Sequence, residues 1–298
     1  MQRQSISARP WSDHPRLMPL RRRSPAVDIG VQTIEAYGRH RSGRNAALIS
    51  HYSFLSIFPL VLALTTILGF VLEGRPDLQA KIIDSALARV PIIGQTLGSD
   101  PSKLRGSTVV LVFGLLAALW SGLRAFIAVE IALDDVRELP REQRSSFAVM
   151  RGRALLGVGV IGGSQIGSAA ISSIAGAGQF AMINRILLVI GALVINTATV
   201  GLTYRWLCSV RSPWRQVMPG AICAGVAFSV MQFFGTTVVV RLIANASPVY
   251  GTFATVIGLF TWLGLHSGVA LIAAELNEVL SRQRITREPD GEPLLSMG

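Results

Sequence analysis

Charged residues are scarce in this sequence. They form 15% of its 298 residues, whereas 50% are hydrophobic, and the mean hydropathy is +0.49. A soluble domain of this length needs more polar surface than that, so the composition argues against an ordinary soluble fold. It is typical of a protein that crosses a membrane several times.

Cysteines and nucleotide-binding motifs are also nearly absent. The two cysteines, Cys208 and Cys223, fall near the ends of neighbouring apolar stretches on the side assigned below to the cytoplasm. Thiols stay reduced there, so we expect no disulfide, and two distant thiols are not a metal signature. The sequence has no P-loop or Gly-rich phosphate cradle, so any transport should be gradient-driven or passive rather than powered by ATP. We expect no cofactor and no metal.

Six long apolar stretches dominate the chain, and each is long enough to cross the ~30 Å of hydrocarbon in a bilayer. The predicted spans cover residues 46–72, 107–133, 154–178, 186–208, 217–242 and 251–280. The predicted fold class is therefore all-α, with one six-helix membrane domain at residues 26–282. We also expect an interfacial helix before the first span and an amphipathic helix in the external loop after it.

Arginine and lysine are concentrated on one side of the predicted spans. Twenty lie in the tails and connections that share a side with the termini, and seven lie on the other side. By the positive-inside rule, both termini should be cytoplasmic, the N-terminal one as a basic disordered tail at residues 1–25 and the C-terminal one at residues 283–298. A seventh span, or a re-entrant segment at residues 91–98, is the alternative topology. Because the basic residues lie between apolar stretches rather than on one folded face, the net charge of +11 does not indicate a nucleic-acid partner.

Small residues at regular spacing predict where helices pack closely. Gly159, Gly163 and Gly167 are spaced by four in the third span, and Gly264 and Gly268 repeat that spacing in the sixth. Glycines at this spacing let neighbouring helices approach each other. We therefore expect the third span to be central and the sixth to present one packing face to the bundle.

An acidic residue, Glu275, lies near the end of the last apolar stretch. An ionisable side chain in hydrocarbon costs ~2.5–3.5 kcal/mol on insertion scales, so it tends to face a cavity or a pathway. Glu275 shares its helical face with Gly264 and Gly268, which predicts that it points into the bundle. In the alternative, it lies among the headgroups and is capped by Arg282 or by water. His266 falls on the opposite face, so we expect no proton relay between His266 and Glu275.

Polar residues also mark the first span. Pro59 lies well inside the apolar stretch, where it removes one backbone donor, so we expect a kink nearby. Asn45, Tyr52 and Ser56 fall on the same helical face as Pro59. This stripe either hydrogen-bonds to neighbouring helices or lines a pathway that faces the cytoplasm.

Three groups of residues carry a family resemblance. They are NAALISHYSFLSIFPLVL at residues 45–62, Ala-Leu-Asp at residues 132–134, and YGTF at residues 250–253 followed by IAAELN at residues 272–277. They resemble the YihY/BrkB family of bacterial inner-membrane proteins, once labelled ribonuclease BN, over most of the chain. Ala273 stands where that family commonly has glycine. The resemblance implies an integral inner-membrane protein with six helices and a poorly defined activity.

These features predict transport or export of an unidentified solute or lipid through a cavity between the first and sixth spans. The predicted lining comprises Glu275, Asn45, Tyr52, Ser56, Pro59 and Asn277. The lipid bilayer is the expected partner, and the sequence predicts no particular oligomeric state. A membrane scaffold that does not transport is the alternative.

A membrane-bound ribonuclease is the third hypothesis. Phosphodiester hydrolysis needs metal-binding carboxylates or a histidine acid/base pair near water. The acids Asp134, Asp135, Glu138 and Glu142 alternate with arginines at the spacing of an ordinary solvated helix. We therefore predict no catalytic residue and no enzymatic activity.

Overall fold

The structure is a computed structural model that describes residues 18–71, 108–146, 148–157, 181–250 and 252–287. All regular secondary structure within these ranges is helical, which confirms the predicted fold class. Most of the third predicted span, with Gly159, Gly163 and Gly167, lies outside the described residues. So do the external loop helix, the segment at residues 91–98 and the ends of both tails.

The helices follow one another along the chain with short connections at the end that holds the site. We number them α1 (Met18–Arg23), α2 (Pro25–Arg39), α3 (Ser42–Val71), α4 (Thr108–Val136), α5 (148–157), α6 (Ala181–Trp206), α7 (Trp214–Tyr250) and α8 (Thr252–Arg287), with a 3₁₀ turn at Arg141–Gln143. Helices α3, α4, α6, α7 and α8 have between 26 and 37 residues. At ~1.5 Å per residue, each is longer than the hydrocarbon thickness of a bilayer.

Within the described residues, one segment, Val256–Arg284 of α8, passes a combined test of length and apolarity for a membrane span. Its mean hydropathy is 1.8, and only 22% of its most apolar stretch is buried inside the protein, unlike the core helix of a soluble domain. The other long helices cover most of the stretches predicted as spans one, two, four and five. The count of six spans stays a prediction.

Helix α8 is the centre of the packing. It contacts α2, α3, α4 and α7, while α3 pairs with α4 and α6 pairs with α7. The larger buried cluster joins α4, α6, α7 and α8 and includes Leu133, Val200, Tyr204, Val217, Ala221 and Ala274. The smaller one joins α3, α4 and α8 through Ala46, Ile49, Ala132 and Leu271. Both clusters lie where α8 approaches its C-terminal end, which is the end that the sequence assigns to the cytoplasm.

Large apolar side chains cover the outer faces of the long helices. Phe113 and Trp120 on α4, Val194 on α6, Val230 on α7 and Ile257 on α8 are all exposed. Apolar surface on this scale is costly in water and is satisfied by lipid. The exposed faces therefore agree with the membrane class that the composition indicates.

Glycines bring the helices together at several places. A Cβ added at Gly220 of α7 would overlap the carbonyl oxygen of Ala273 in α8, so these two backbones are in direct contact. A Cβ added at Gly264 would lie 3.8 Å from Ser50 Oγ, and one at Gly268 would lie 3.7 Å from Tyr37 Oη. These are ordinary contact distances, so Gly264 faces α3 and Gly268 faces α2, and an added methyl group would fit at either position.

Candidate functional site

Glu275 is fully buried near the C-terminal end of α8, with 0% of its surface exposed. Ser42, the first residue of α3, donates a hydrogen bond from Oγ to Glu275 Oε1 over 2.7 Å. The Nδ1 atom of His40, which caps the end of α2, lies 3.0 and 2.9 Å from the two Glu275 oxygens. The carboxylate is therefore held by the turn between α2 and α3.

His40 lies between two carboxylates. Its Nε2 atom is 2.8 Å from Oε1 of Glu138, which follows the end of α4, and only 6% of the His40 side chain is exposed. Two arginines also approach Glu138, with Arg39 at 3.5 Å and Arg282 at 3.3 Å. The hydrogen bond with His40 lowers the pKa of the Glu138 carboxyl, and the positive charges of Arg282 and Arg39 add to that effect against partial burial.

The backbone around this site adopts an uncommon conformation at two residues. Arg41 has φ of 54° and Glu138 has φ of 51°, in the left-handed region that costs most side chains ~1–2 kcal/mol. Each follows the end of a helix, where glycine usually takes this role. Because Arg41 stands between His40 and Ser42, its reversal of the chain brings both neighbours onto Glu275. The two residues with unfavourable backbone conformations, Arg41 and Glu138, are therefore part of the site or next to it.

An open cleft of about 190 Å³ leads from the surface to His40. It lies between α2 and the end of α8, and its lining includes Gln32, Glu35, Arg39, His40, Glu278 and Arg282. Glu275 is not among the lining residues, because His40 separates it from the cleft. The cleft therefore gives the imidazole, but not the buried carboxylate, direct access to solvent.

Asn45 and Asn277, two of the predicted lining residues, are bound elsewhere. Asn45 is buried in α3 and donates from Nδ2 to Asp135 Oδ2 over 3.1 Å. Asn277 accepts the backbone N–H of Gly220 at 2.6 Å and donates to the carbonyl oxygen of Val217 at 3.0 Å. Asn45 thus ties α3 to the end of α4, and Asn277 ties α8 to the start of α7.

Tyr52, Ser56 and Pro59 lie further along α3, away from Glu275. The Arg124 guanidinium lies 6.0 Å from the Tyr52 ring centroid, and Ser56 Oγ donates to the carbonyl oxygen of Ser53 over 2.7 Å. Helix α3 runs through Pro59 without interruption, so the kink stays a prediction. None of the three lines the cleft beside His40, and the structure does not bring them to the carboxylate.

Sequence reasoning missed His40 and Ser42 as the partners of Glu275, and Glu138 as the second partner of His40. One signal could have found His40, because it ends the predicted interfacial helix just before the first span, on the same predicted side of the membrane as Glu275. His266 contacts its own helix, with Nδ1 2.9 Å from the carbonyl oxygen of Trp262.

The interpretation of Asp134 as part of a solvated helix was wrong. Asp134 is 1% exposed, and its carboxylate accepts the backbone N–H of Ser209 at 2.9 Å and the Ser209 hydroxyl at 2.6 Å. The connection between α6 and α7 folds over this end of α4 and supplies both donors. Glu130, one turn earlier, is also buried, and Arg153 approaches it to 3.5 Å. These acids therefore fasten helices together on the side of α4 that faces α6.

No group of three or more His, Cys, Asp and Glu side chains is placed to hold a metal ion among the residues described. Both cysteines are free thiols, Cys208 buried and Cys223 exposed. What the site offers instead is a chain of hydrogen bonds from a buried carboxylate, through an imidazole, to a second carboxylate at the surface. Such a chain can hold and move protons.

Long helices with apolar outer faces and a polar network buried at one end define a helical membrane protein. A family model described as Virulence factor BrkB matches residues 33–294, so the chain belongs to the BrkB family of membrane proteins. This confirms the resemblance carried by the three sequence motifs.

Proteins similar to this chain come from several bacteria. The inner membrane protein YhjD of Escherichia coli is 24% identical over 85% of this chain and 80% of its own length. A UPF0761 membrane protein of Alkalilimnicola ehrlichii is 25% identical over 88% of this chain, which spans 60% of that protein. An uncharacterized protein of Dickeya dadantii is 25% identical over 84% of this chain and 82% of its own length. No solved structure matches the chain.

Proposed function

We propose that this protein is a gradient-driven transporter or exporter of a small solute or lipid in the bacterial inner membrane. The observation that carries the proposal is Glu275, an ionisable residue buried completely within the candidate membrane span Val256–Arg284. Burial of a charge in such a segment is expensive, and it is retained where it serves a pathway or a coupling step. The inner-membrane location is supported by the Escherichia coli relative YhjD, which is named as an inner membrane protein.

The arrangement around Glu275 supports the same proposal. Its hydrogen bonds cross from α8 to the turn between α2 and α3, so any movement of α8 against α3 must change them. The residue is also close to solvent, since the cleft beside His40 opens at the surface. A site with one partner on each of two packed helices, next to a cleft, is suited to a pathway that opens between those helices.

The sequence-based proposal is changed in its lining residues. Glu275 keeps its place, and His40 and Ser42 join it. We assign Asn277 and Asn45 to helix packing, since each is hydrogen-bonded to a neighbouring helix or its end. The part of the proposed pathway that runs along α3 keeps its predicted lining of Tyr52, Ser56 and Pro59.

A ribonuclease is not part of the proposal. Two of its four candidate acids are engaged with protein groups, Asp134 with Ser209 and Asp135 with Arg144 at 2.9 Å. The lone pairs that accept these hydrogen bonds are not available to a metal ion.

The test compares cells that carry the wild-type protein, Glu275→Gln, Glu142→Gln or no copy, at equal abundance in the membrane. Mass spectrometry of solutes inside and outside the cells, and of lipids labelled at the outer leaflet, measures the distribution of each compound. We expect at least one compound whose distribution depends on the wild-type protein and is lost in Glu275→Gln. Glu142 is exposed in the 3₁₀ turn, so its amide variant is the matched control. Identical distributions in all strains would refute transport.

A further inference from the structure

The imidazole of His40 bridges carboxylates from two separate elements. One ring nitrogen contacts Glu275 of α8 at 2.9 Å, and the other contacts Glu138 after α4 at 2.8 Å. A neutral imidazole has one N–H donor and one acceptor nitrogen, whereas an imidazolium has two donors. An acceptor nitrogen facing an ionised carboxylate would be repelled. The geometry therefore requires one proton more than a neutral histidine with two carboxylates would carry.

We propose that His40 and Glu275 form a proton-binding site, and that uptake of a proton through the cleft between α2 and α8 couples transport to the proton gradient. The coupling rests on the transport function proposed above. The proton site itself rests on the geometry of His40, Ser42 and Glu275, and it can be tested without a substrate.

The extra proton has two equivalent positions. It can remain on Nδ1 of His40, which then donates to the Glu275 carboxylate, or it can lie on a Glu275 oxygen, which then donates to Nδ1. The two heavy atoms keep the same 2.9 Å separation in both cases. The Ser42 hydroxyl donates to the carboxyl oxygen Oε1 in either state. The site can thus shift a proton between a surface-facing and a buried group without moving its atoms.

Charged groups from every packed element face this pair. Helix α2 contributes Arg39, the end of α4 contributes Glu138, and α8 contributes Arg282 and Glu278, which pair with each other at 2.9 Å. Arg39 and Arg282 are engaged by the surface carboxylates Glu138 and Glu278, so the buried Glu275 carboxylate is left for the proton on His40 to neutralise. Glu35 of α2 also lines the cleft and adds negative charge at its opening.

Tyr37 of α2 is the remaining titratable group near the pair. Burial and the nearby Glu275 charge both raise the pKa of its phenol. It therefore stays protonated at neutral pH and adds no charge.

Uptake of one proton by the site involves both ring nitrogens of His40. A neutral His40 with its proton on Nδ1 takes a proton from water in the cleft at Nε2, and it releases the Nδ1 proton to the Glu275 carboxylate. The products are a neutral imidazole protonated on Nε2 and an uncharged Glu275 acid. Because a neutral acid is far cheaper to expose to hydrocarbon than a carboxylate, this step frees the end of α8 to move.

Solid-state NMR of protein labelled with ¹⁵N-histidine in lipid bilayers tests the proton site directly. The four histidines of the chain are few enough for His40 to be assigned by comparison with His40→Gln. We expect wild-type His40 to show protonation at both ring nitrogens, with an Nδ1 signal displaced towards that of a shared proton. In Glu275→Gln the Nδ1 proton should be lost at neutral pH, whereas His51→Gln and Glu142→Gln should leave the His40 signals unchanged.

A His40 that is a single neutral tautomer, with signals that neither pH nor Glu275→Gln changes, would overturn the proton site. The matched histidine control is His51, which packs against Tyr52 and Phe260 on α3 and α8 and is exposed. Since correct insertion is checked by the unchanged signals of the other histidines, a misfolded variant cannot be mistaken for a positive result.

The coupling is tested with the compound distributions described for the proposed function, with and without nigericin to dissipate the pH gradient. We expect the distribution that depends on the wild-type protein to collapse with nigericin and to be lost in His40→Gln, but not in His51→Gln. Shared-proton signals without any redistribution would overturn transport and keep the proton site. Redistribution that neither nigericin nor His40→Gln alters would overturn the coupling and keep transport.

Discussion

Replacing Gly220 by alanine should destabilise the protein, because this glycine marks the contact between α7 and α8. A Cβ at this position would overlap the carbonyl oxygen of Ala273 and would lie 2.6 Å from Nδ2 and 2.7 Å from Cγ of Asn277. The first of these atoms belongs to the backbone of α8 and cannot turn aside. The substitution must therefore push the two helices apart.

The magnitude follows from three effects. Overpacking in a close contact costs ~1–3 kcal/mol. Separation of the helices also weakens the hydrogen bonds from Gly220 N–H to Asn277 and from Asn277 to Val217, each worth ~0.5–1.5 kcal/mol. Alanine in place of glycine within a helix recovers ~0.5–1 kcal/mol. The net expectation is a loss of about 1–3 kcal/mol.

The assay is thermal unfolding of the purified protein in detergent, followed by tryptophan fluorescence. Gly220→Ala should lower the apparent Tm by roughly 2 °C or more per kcal/mol lost. The matched control is Gly191→Ala in α6, where nothing lies within 4 Å of an added Cβ. It should keep or raise the Tm. Equal Tm values for the two variants would refute the close contact of α7 and α8.

The same substitution tests the assignment of Asn277. If Asn277 acts mainly as a link between α8 and α7, the double variant Gly220→Ala, Asn277→Ala should be less destabilised than the sum of the single variants, because the residues touch. The distribution of the transported compound in Asn277→Ala should then follow protein abundance. A loss of transport at normal abundance and stability would return Asn277 to the pathway.

Two further substitutions have defined outcomes. Asp134→Asn should cost about 1–3 kcal/mol, because an amide places a donor where the carboxylate accepts two hydrogen bonds from Ser209. The loss of stability caused by Glu138→Gln should depend on pH, because the His40 hydrogen bond lowers the pKa of the Glu138 carboxyl below the ~4.3 of an unfolded chain. Its contribution to stability is therefore present above about pH 4 and is lost as the pH falls further. The contribution is small, because Glu138 is 48% exposed.

Both are measured as Tm differences from the wild type. For Asp134→Asn, the exposed Glu142→Gln is the control and should lie within ~0.5 kcal/mol of the wild type. An equal effect of the two would contradict the assignment of Asp134 to helix fastening. For Glu138→Gln, the Tm difference should be largest near neutral pH and should shrink as the pH falls below about 4. A difference that persists at acid pH would contradict the ionic origin of the contact.

Local composition was enough to define the class of this protein and to single out its most informative residue. Apolar stretches are a property of consecutive residues, so the helical class could be predicted from them. Glu275 could be found in the same way, because an acid near the end of an apolar stretch is visible without knowledge of its neighbours. The helical face it shares with Gly264 and Gly268 follows from the helix period alone.

The partners of these residues could not be predicted, because they depend on how distant segments dock. His40 is separated from Glu275 by 235 residues, and the two meet only because the turn at Arg41 packs against the end of α8. The alternative interpretation of Glu275 took Arg282 or water as its partner, whereas the fold places Arg282 against Glu138 and Glu278.

The burial of Asp134 could not be predicted either. Its spacing with arginines is that of a solvated helix, but in the folded protein the α6–α7 connection covers it. The sequence by itself determined a membrane protein with one acid at the end of its last apolar helix. The tertiary structure decided that this acid is buried, with His40 between it and the cleft. Side chains that are far apart in the chain can pair only after the helices have packed.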